Sequence, residues 1–382
     1  MAQERKKTRI VLASILKPVD DTRMFEKMAV SLAKDDHNEI IVIGFPCSGK
    51  VQRLEYSVQR EDCKVQRLEL SYFKRLSFGR WLAKWKVFFK VLTLKPSVFI
   101  ITTHELLLPA FILKVITNAK IIYDIQENYY RNILHSGNFP RIIRGPLAIL
   151  VRLKEKILAP FVDHFLLAEK GYEEEFTFFK GSSTVIENKA MPSEHYVRKK
   201  RISDDHSIKL LFSGTLAEST GVFVAIELAK QLNKLNKNVT LLIIGKTSLK
   251  ETLDKIHQEV NENSFITIIG GEFLVPHNEI INAIAHADAG ILSYPLMNHI
   301  KNSKPTKLFE YLNGQLPIML ENRWPWIEEY NYCTPFIVFN FQKPDCSALI
   351  QSLKAGNFYP SAAADITWLS EEKQLLELLN KI

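Results

Sequence analysis

The sequence predicts an α/β protein built from two Rossmann-like, parallel-sheet domains and a C-terminal helix. Three observations predict it. Short runs rich in Val, Ile and Leu alternate with amphipathic segments along nearly the whole chain, the pattern of β-α-β units whose strands are buried on both faces. One charge-dense, aperiodic stretch, 196–207 (YVRKKRISDDHS), interrupts the alternation and reads as a linker. A chain of 382 residues is long enough for two sizeable cores. The expected boundaries are 1–195 for the first domain, 208–360 for the second and 361–382 for the terminal helix.

The first domain opens on strands Arg9–Ile15 and Glu39–Phe45, with helix Thr22–Lys34 between them. The loop after the first strand has no G-x-G-x-x-G, so a dinucleotide-binding domain is not expected. Asp21 reads as an N-cap, with Arg23 just inside the helix. Val51-Gln52-Arg53-Leu54-Glu55 recurs as Val65–Glu69, which we read as coincidence between two strand-like segments. Between Glu69 and Glu105 there is no acid. There Lys74, Arg75, Arg80, Lys84, Lys86, Lys90 and Lys95 interleave with Phe73, Phe78, Trp81, Trp85, Phe88 and Phe89. A basic helix rich in Trp and Phe has the composition of one lying at a membrane interface, with Trp81, Lys84 and Trp85 on the acceptor or membrane side. An ordinary domain helix with aromatics in the core and lysines in water fits as well. No motif supports nucleic-acid binding by the same residues.

Strand Ser97–Thr102 ends in Thr103-His104-Glu105, at the edge of a parallel sheet where ligands bind. His104 and Glu105 are therefore candidate catalytic residues, against the reading of a structural loop histidine. Strand Lys120–Tyr123 is followed by Asp124-Ile125-Gln126-Glu127-Asn128-Tyr129-Tyr130. Helix Leu147–Leu158 and strands Asp163–Ala168 and Thr184–Ile186 complete the domain.

The second domain begins with strand Ile208–Phe212. Ser213-Gly214-Thr215 and Thr220-Gly221 follow, then a helix from Val222 to about Leu235. Strand, glycine turn and helix bring backbone amides close to phosphate. The alternation continues through strand Val239–Ile244, helix Leu249–Asn261, strand Phe265–Ile269 with Gly270-Gly271, helix Asn278–His286 and strand Ala289–Leu292. Its most informative stretch is 302–317, NSKPTKLFEYLNGQLP. A polar run feeds a short amphipathic helix, Gly314 stops it, and Leu316–Leu320 reads as a buried strand. A helix start suits a phosphate, and Lys307 adds a full charge there. Glu310, one turn inside, is placed to accept hydrogen bonds from sugar hydroxyls. A solvated Lys/Glu pair is the other reading of those two residues.

Residues 302–317 resemble the donor-binding signature S-x-P-x-K-x-x-E-Y-L-x-x-G-x-P of GT-B glycosyltransferases related to glycosyltransferase family 4. Ser303, Pro305, Lys307, Glu310, Tyr311, Leu312 and Pro317 match, and Gly314 stands one residue before the signature's glycine. The resemblance implies two domains facing across a cleft, with the last helix returning to the first domain. It implies that the glutamate at Glu310 binds the ribose of a nucleotide diphosphate sugar, and that Gly214, Thr215, Thr220, Ser303, Thr306 and Lys307 also line the donor site. Asp21-Thr22-Arg23 also resembles a feature of many family members, which implies that Arg23 meets an acceptor or a phosphate. Three departures stand out. Asn302 replaces a second acid eight residues before Glu310. Thr215 and Thr220 stand where relatives neutralise the diphosphate with Arg and Lys, so Lys246, Lys301 or Lys304 would have to compensate. Gln126, a third catalytic candidate by this resemblance, replaces a histidine in Y-D-x-H-E-x-Y; an amide hydrogen-bonds a sugar but cannot shuttle a proton, so His104 or His135 would have to supply an imidazole.

The expected activity is transfer of a sugar from a nucleotide diphosphate donor to a glycan or lipid-linked acceptor, with retention, in cell-surface polysaccharide biosynthesis. The alternatives are a catalytically weak sugar-nucleotide binder or membrane scaffold, and a GT-B UDP-sugar epimerase. No D-x-D occurs, so no metal and no cofactor beyond the donor are expected. The scattered Cys47, Cys63, Cys333 and Cys346 lack any C-x-x-C, which argues for reduced thiols in a cytoplasm and against a zinc site. The basic N-terminus and Ile10–Leu16 have the outline of a secretory signal, but Lys17-Pro18 ends the run and a buried strand is the preferred reading. No apolar stretch reaches the ~18 residues of a membrane span. The net charge of +8 belongs to the first half, since residues 1–195 carry about +9 and the rest about −1. The inner face of the cytoplasmic membrane is therefore an expected partner of the first domain, for a cytoplasmic, peripheral protein.

Overall fold

The structure is a computed structural model that describes residues 7–46, 65–71, 73, 77–135, 139–179, 182–192, 207–247, 249–295 and 303–382. Cys47, Cys63, the 51–55 segment, Lys74, Arg75, the linker to residue 206, Lys301 and Asn302 lie outside the described residues. The chain divides into two compact units, Met1–Asn188 with Leu369–Ile382, and Lys189–Trp368.

The first unit holds strands β1 (Thr8–Pro18), β2 (Asn38–Phe45), β3 (Val65–Glu69), β4 (Val98–Ile101), β5 (Lys120–Ile125), β6 (His164–Leu167) and β7 (Ser183–Val185). They form one parallel sheet in the order β3-β2-β1-β4-β5-β6-β7. The strands are apolar because the sheet is covered on both faces: Val11, Leu12, Ile41, Ile43, Ile100 and Ile122 are fully buried. Each such side chain stabilises the fold by about 1.5–3 kcal/mol. After β1, Thr22–Ala29 is wound as a π-helix, capped by Asp21 and continued by α1 (Val30–Leu32). The remaining helices are α2 (Phe78–Leu94), α3 (Leu107–Thr117), α4 (Tyr129–His135), α5 (Arg141–Leu158) and the single turn α6 (Tyr172–Glu175). Helix α5 starts six residues before the predicted Leu147 and carries Pro146 within it.

The second unit carries a six-stranded parallel sheet, β10-β9-β8-β11-β12-β13. Its strands are β8 (Ile208–Thr215), β9 (Val239–Lys246), β10 (Ile266–Gly271), β11 (Ala289–Leu292), β12 (Ile318–Leu320) and β13 (Phe336–Val338). Helices α7 (Val222–Leu235), α8 (Lys250–Glu262), α9 (His277–His286), α10 (Thr306–Asn313) and α11 (Cys346–Ala355) cover it. In both sheets the order reverses beside the first strand, β1/β4 in one and β8/β11 in the other. That reversal opens a crevice at the carboxyl ends of the strands, where open α/β sheets bind ligands.

Helix α12 (Trp368–Leu379) groups with the first unit. Its Glu372 accepts from Ser31 Oγ at 2.7 Å and pairs with Lys34, and Glu371 Oε2 accepts from the Glu187 N–H at 2.8 Å. The chain leaves the first unit after Asn188 and re-enters it at Leu369. Just inside the second unit, the Trp368 N–H donates to Ala190 O at 2.7 Å.

Candidate functional site

The carboxyl edge of the second sheet is built from glycine. Gly214, Gly245 and Gly270 pair side by side across β8, β9 and β10. All three have positive φ, at 96°, 153° and 96°. A Cβ on Gly245 would stand 1.7 Å from Gly214 O, and one on Gly270 would stand 2.3 Å from Gly245 O. Only glycine allows this approach. The result is a bare backbone ledge at the end of three strands.

Helix α10 is pinned over that ledge. The Tyr311 ring lies against Gly290 of β11, where a Cβ would come within 2.4 Å of it. Its hydroxyl sits 2.9 Å from Ser213 Oγ and accepts the Ser213 N–H at 3.2 Å. One tyrosine thus ties the helix to both strands of the β8/β11 crevice. Lys307, one turn earlier on the same face, is carried to the crevice mouth. Its Nζ is 4.2 Å from the centroid of the Phe212 ring and 5.1 Å from that of Tyr294. Its Cε is 3.7 Å from where a Gly214 Cβ would be.

Lys307 is only 7% exposed, and its ammonium has no hydrogen-bond partner among the described residues. Burial pushes its pKa down to about 7, against an opposing pull from Glu310. A buried ammonium held by two aromatic faces costs free energy in the empty protein and is stabilised by an arriving anion. Glu310 sits on the same helix, and its Oε1 is 3.1 Å from His277 Nε2 at the start of α9. The carboxylate is 13% exposed and the imidazole 34%.

The other predicted donor residues fall around this centre. Thr306 is the first residue of α10, whose cap, Pro305, offers no side-chain hydrogen bond. Ser303 gives its carbonyl to Trp326 Nε1 at 3.0 Å. Thr215 is exposed. The Thr220 hydroxyl accepts the Ala217 N–H at 3.2 Å, with Thr215 O at 2.7 Å and Ala217 O at 2.9 Å as its acceptors. It therefore staples the loop shut. Of the compensating cations expected, Lys304 is paired with Glu329 at 2.6 Å, and Lys246 lies exposed at the end of β9.

In the first unit Arg23 and Asp124 form a buried two-point ion pair, Nη2–Oδ1 2.7 Å and Nε–Oδ2 3.0 Å, at 4% and 0% exposure. Gln126 Nε2 donates to the same carboxylate at 2.7 Å. His104 is 8% exposed, stacks edge-on against Tyr129 and takes a hydrogen bond at Nδ1 from Lys154 at 2.6 Å. An ammonium only donates, so Nδ1 accepts and the ring proton sits on Nε2, which faces Glu105 at 3.4 Å. Burial lowers the His104 pKa to about 3 and the Lys154 pKa to about 8. Burial raises the Glu105 carboxyl, but His104 and Arg80 outweigh it and hold the pKa below the ordinary value. Arg80 Nε donates to Glu105 Oε1 at 3.0 Å. Four buried polar atoms in the segments after β1 and β4 have no hydrogen-bond partner among the described residues: Asp20 Oδ1, Arg23 Nη1, Thr103 Oγ1 and Glu105 Oε2.

Among the residues predicted to lie on the membrane side, Trp81 is 52% exposed and stacks on Phe78, while Trp85 packs against the core. Lys84 Nζ lies 5.2 Å from the Trp81 ring centroid and 5.7 Å from that of Trp85. No helix among the described residues is long and apolar enough to cross a membrane.

No family model and no curated protein matches the sequence. Solved structures do. HepE from Anabaena in complex with UDP and glucose matches with a TM-score of 0.65 at 13% identity, over 98% of this chain and 100% of that one. Sucrose-phosphate synthase from Thermosynechococcus elongatus matches at 0.67 and 13%, over 98% of both chains. The alpha,alpha-trehalose-phosphate synthase of Burkholderia xenovorans, in complex with glucose-6-phosphate, matches at 0.64 and 12%, over 98% of this chain and 100% of that one. These are GT-B glycosyltransferases. The fold is GT-B.

Within this GT-B chain, Lys307 stands beside Gly214 at the β8/β11 crevice, with Thr306 and Glu310 on the same helix, while His104, Glu105, Gln126 and Arg23 lie at the sheet edge of the first unit. Sequence reasoning missed His277, Lys154, Phe212 and Tyr294 as partners of the chosen residues. Only His277 carried a signal, since it follows the Gly270-Gly271 turn and Pro276.

Proposed function

We propose that the protein is a glycosyltransferase whose second unit binds a nucleotide diphosphate sugar, with the diphosphate on Lys307 and the Gly214 ledge and the ribose on Glu310. The observation that carries this is the Lys307 ammonium, buried, without a hydrogen-bond partner among the described residues, and poised over bare backbone at the crevice of a doubly wound sheet. The matching structures with UDP in HepE support the donor class. The acceptor is a glycan or lipid-linked sugar met by the first unit, where Asp20, Arg23 and Thr103 hold unpartnered polar atoms. We further propose retention of configuration and a role in cell-surface polysaccharide biosynthesis.

The membrane reading rests on two helices. Helix α2 exposes Phe78 (70%), Trp81 and Phe89 between lysines. Helix α5 exposes Ile142, Ile149, Leu150, Leu153 and Ile157, and its one acid, Glu155, is buried. An apolar stripe flanked by Lys and Arg suits the interface of an anionic bilayer.

The test is binding of UDP-, GDP- and ADP-sugars, without added metal, to the wild type and to Glu310→Ala. Selective binding by the wild type, reduced tenfold or more in the variant, is the expected result. Binding of none by the folded wild type overturns the donor site. A second reading, a sugar-nucleotide binder without turnover, is favoured by Thr220, whose hydroxyl is spent on its own loop where relatives place a cation. Donor hydrolysis or transfer that Glu310→Ala abolishes would exclude it.

A further inference from the structure

The Glu310 carboxylate does not stand alone. Its Oε1 is 3.1 Å from His277 Nε2, a contact between α10 and the first residue of α9. That residue is held in place from behind. Gly270 and Gly271 turn the chain out of β10 with φ of 96° and 79°. Val275 then packs so closely that its Cγ2 would stand 2.4 Å from a Gly270 Cβ. Pro276 sets the entry to α9 at φ −55° and ψ 139°. The backbone leading to His277 is thus fixed by the same glycine ledge that faces Lys307.

We propose that His277 is a positioning residue for the nucleotide ribose. It donates from Nε2 to Oε1 of Glu310, fixes the carboxylate plane, and turns Oε2 toward the 2′- and 3′-hydroxyls. The proposal rests on the donor-site reading above and adds to it the group that orients the glutamate. Without that bond the Glu310 side chain rotates freely about its terminal torsions, and two-point acceptance from a diol is lost. His277 is one-third exposed at a helix start, so its replacement leaves the core intact.

The experiment measures the affinity of UDP, GDP and ADP, each beside its 2′,3′-dideoxy form, for the wild type, His277→Ala and His277→Gln. The expected result is that His277→Ala weakens the preferred ribonucleotide about five- to twentyfold, from the loss of one charge-assisted hydrogen bond. The dideoxy form is unaffected. His277→Gln, whose amide nitrogen reaches the same place, recovers most of the loss. Equal weakening of both forms, or no change in either, overturns the positioning role and leaves the donor site standing. Failure of the wild type to bind any of the nucleotides overturns the donor site itself.

Discussion

At the scale of single residues, burial sets the charge of Lys307 against stability. Its charged form is disfavoured by burial, so its pKa falls from 10.5 to about 7. Between those values the unfolded chain binds more protons than the folded one. The penalty is therefore full below pH 7 and is relieved as the pH rises toward 10.5. Lys307→Met removes the penalty, and we expect it to stabilise the ligand-free protein by about 1–3 kcal/mol at pH 6 while abolishing nucleotide binding. Denaturant unfolding and calorimetric titration check the two halves. In the wild type, nucleotide affinity should fall as the pH rises above 7, with proton uptake on binding, read by calorimetry in buffers of different ionisation enthalpy. Asp124 behaves in the opposite way. It is fully buried and paired with Arg23 at two points, so Asp124→Ala strands a guanidinium and should cost about 3–5 kcal/mol in denaturant unfolding. These residues also show how far sequence reading reaches. Lys307 and Glu310 were legible because a helix start and a spacing of three are local facts. Arg23 was read as a candidate for an acceptor or phosphate because its partner lies 101 residues away, on β5.

At the scale of elements, the glycine row makes the crevice usable. Gly214, Gly245 and Gly270 lie in three separate β-α turns, and each alone is a weak signal. Parallel pairing sets them side by side in register. Gly245→Ala should prove severe, since its new Cβ would meet Gly214 O at 1.7 Å and its φ is 153°. We expect a loss of about 3 kcal/mol or more, or failure of the second unit to fold. Circular dichroism and proteolysis check it. The helix ends show what local rules miss. Gly314 was expected to stop α10, and the helix does end at Asn313, but Gly314 has φ −76° and the left-handed residue is Gln315 at φ 48°. Strand β13 and helix α11 gave no clear periodic signal, since β13 is three residues long and α11 buries only Leu349 and Leu353.

At the scale of the whole molecule, charge is divided between the halves, and the apolar stripes of α2 and α5 lie in the basic one. Co-sedimentation with anionic vesicles should therefore fall steeply with salt, because the Debye length shrinks from about 10 Å at 0.1 M to about 3 Å at 1 M. Phe78→Ser with Trp81→Ser should weaken it about tenfold or more without changing nucleotide affinity. Vesicle binding that ignores both salt and the double substitution would remove the membrane from the reading.

The sequence by itself determined the two parallel sheets, because strands buried on both faces must be continuously apolar and parallel strands must be separated by helices. It also determined the start of α10 after Pro305 and the placing of Lys307 and Glu310 on it, because charge and spacing there are set within a few residues. The tertiary structure decided the rest: which glycines align, that Lys307 stands between Phe212 and Tyr294, that His277 meets Glu310, and that Arg23 is locked to Asp124. Each of these joins segments tens of residues apart, and such contacts are fixed by sheet order and packing, which no local stretch of chain encodes.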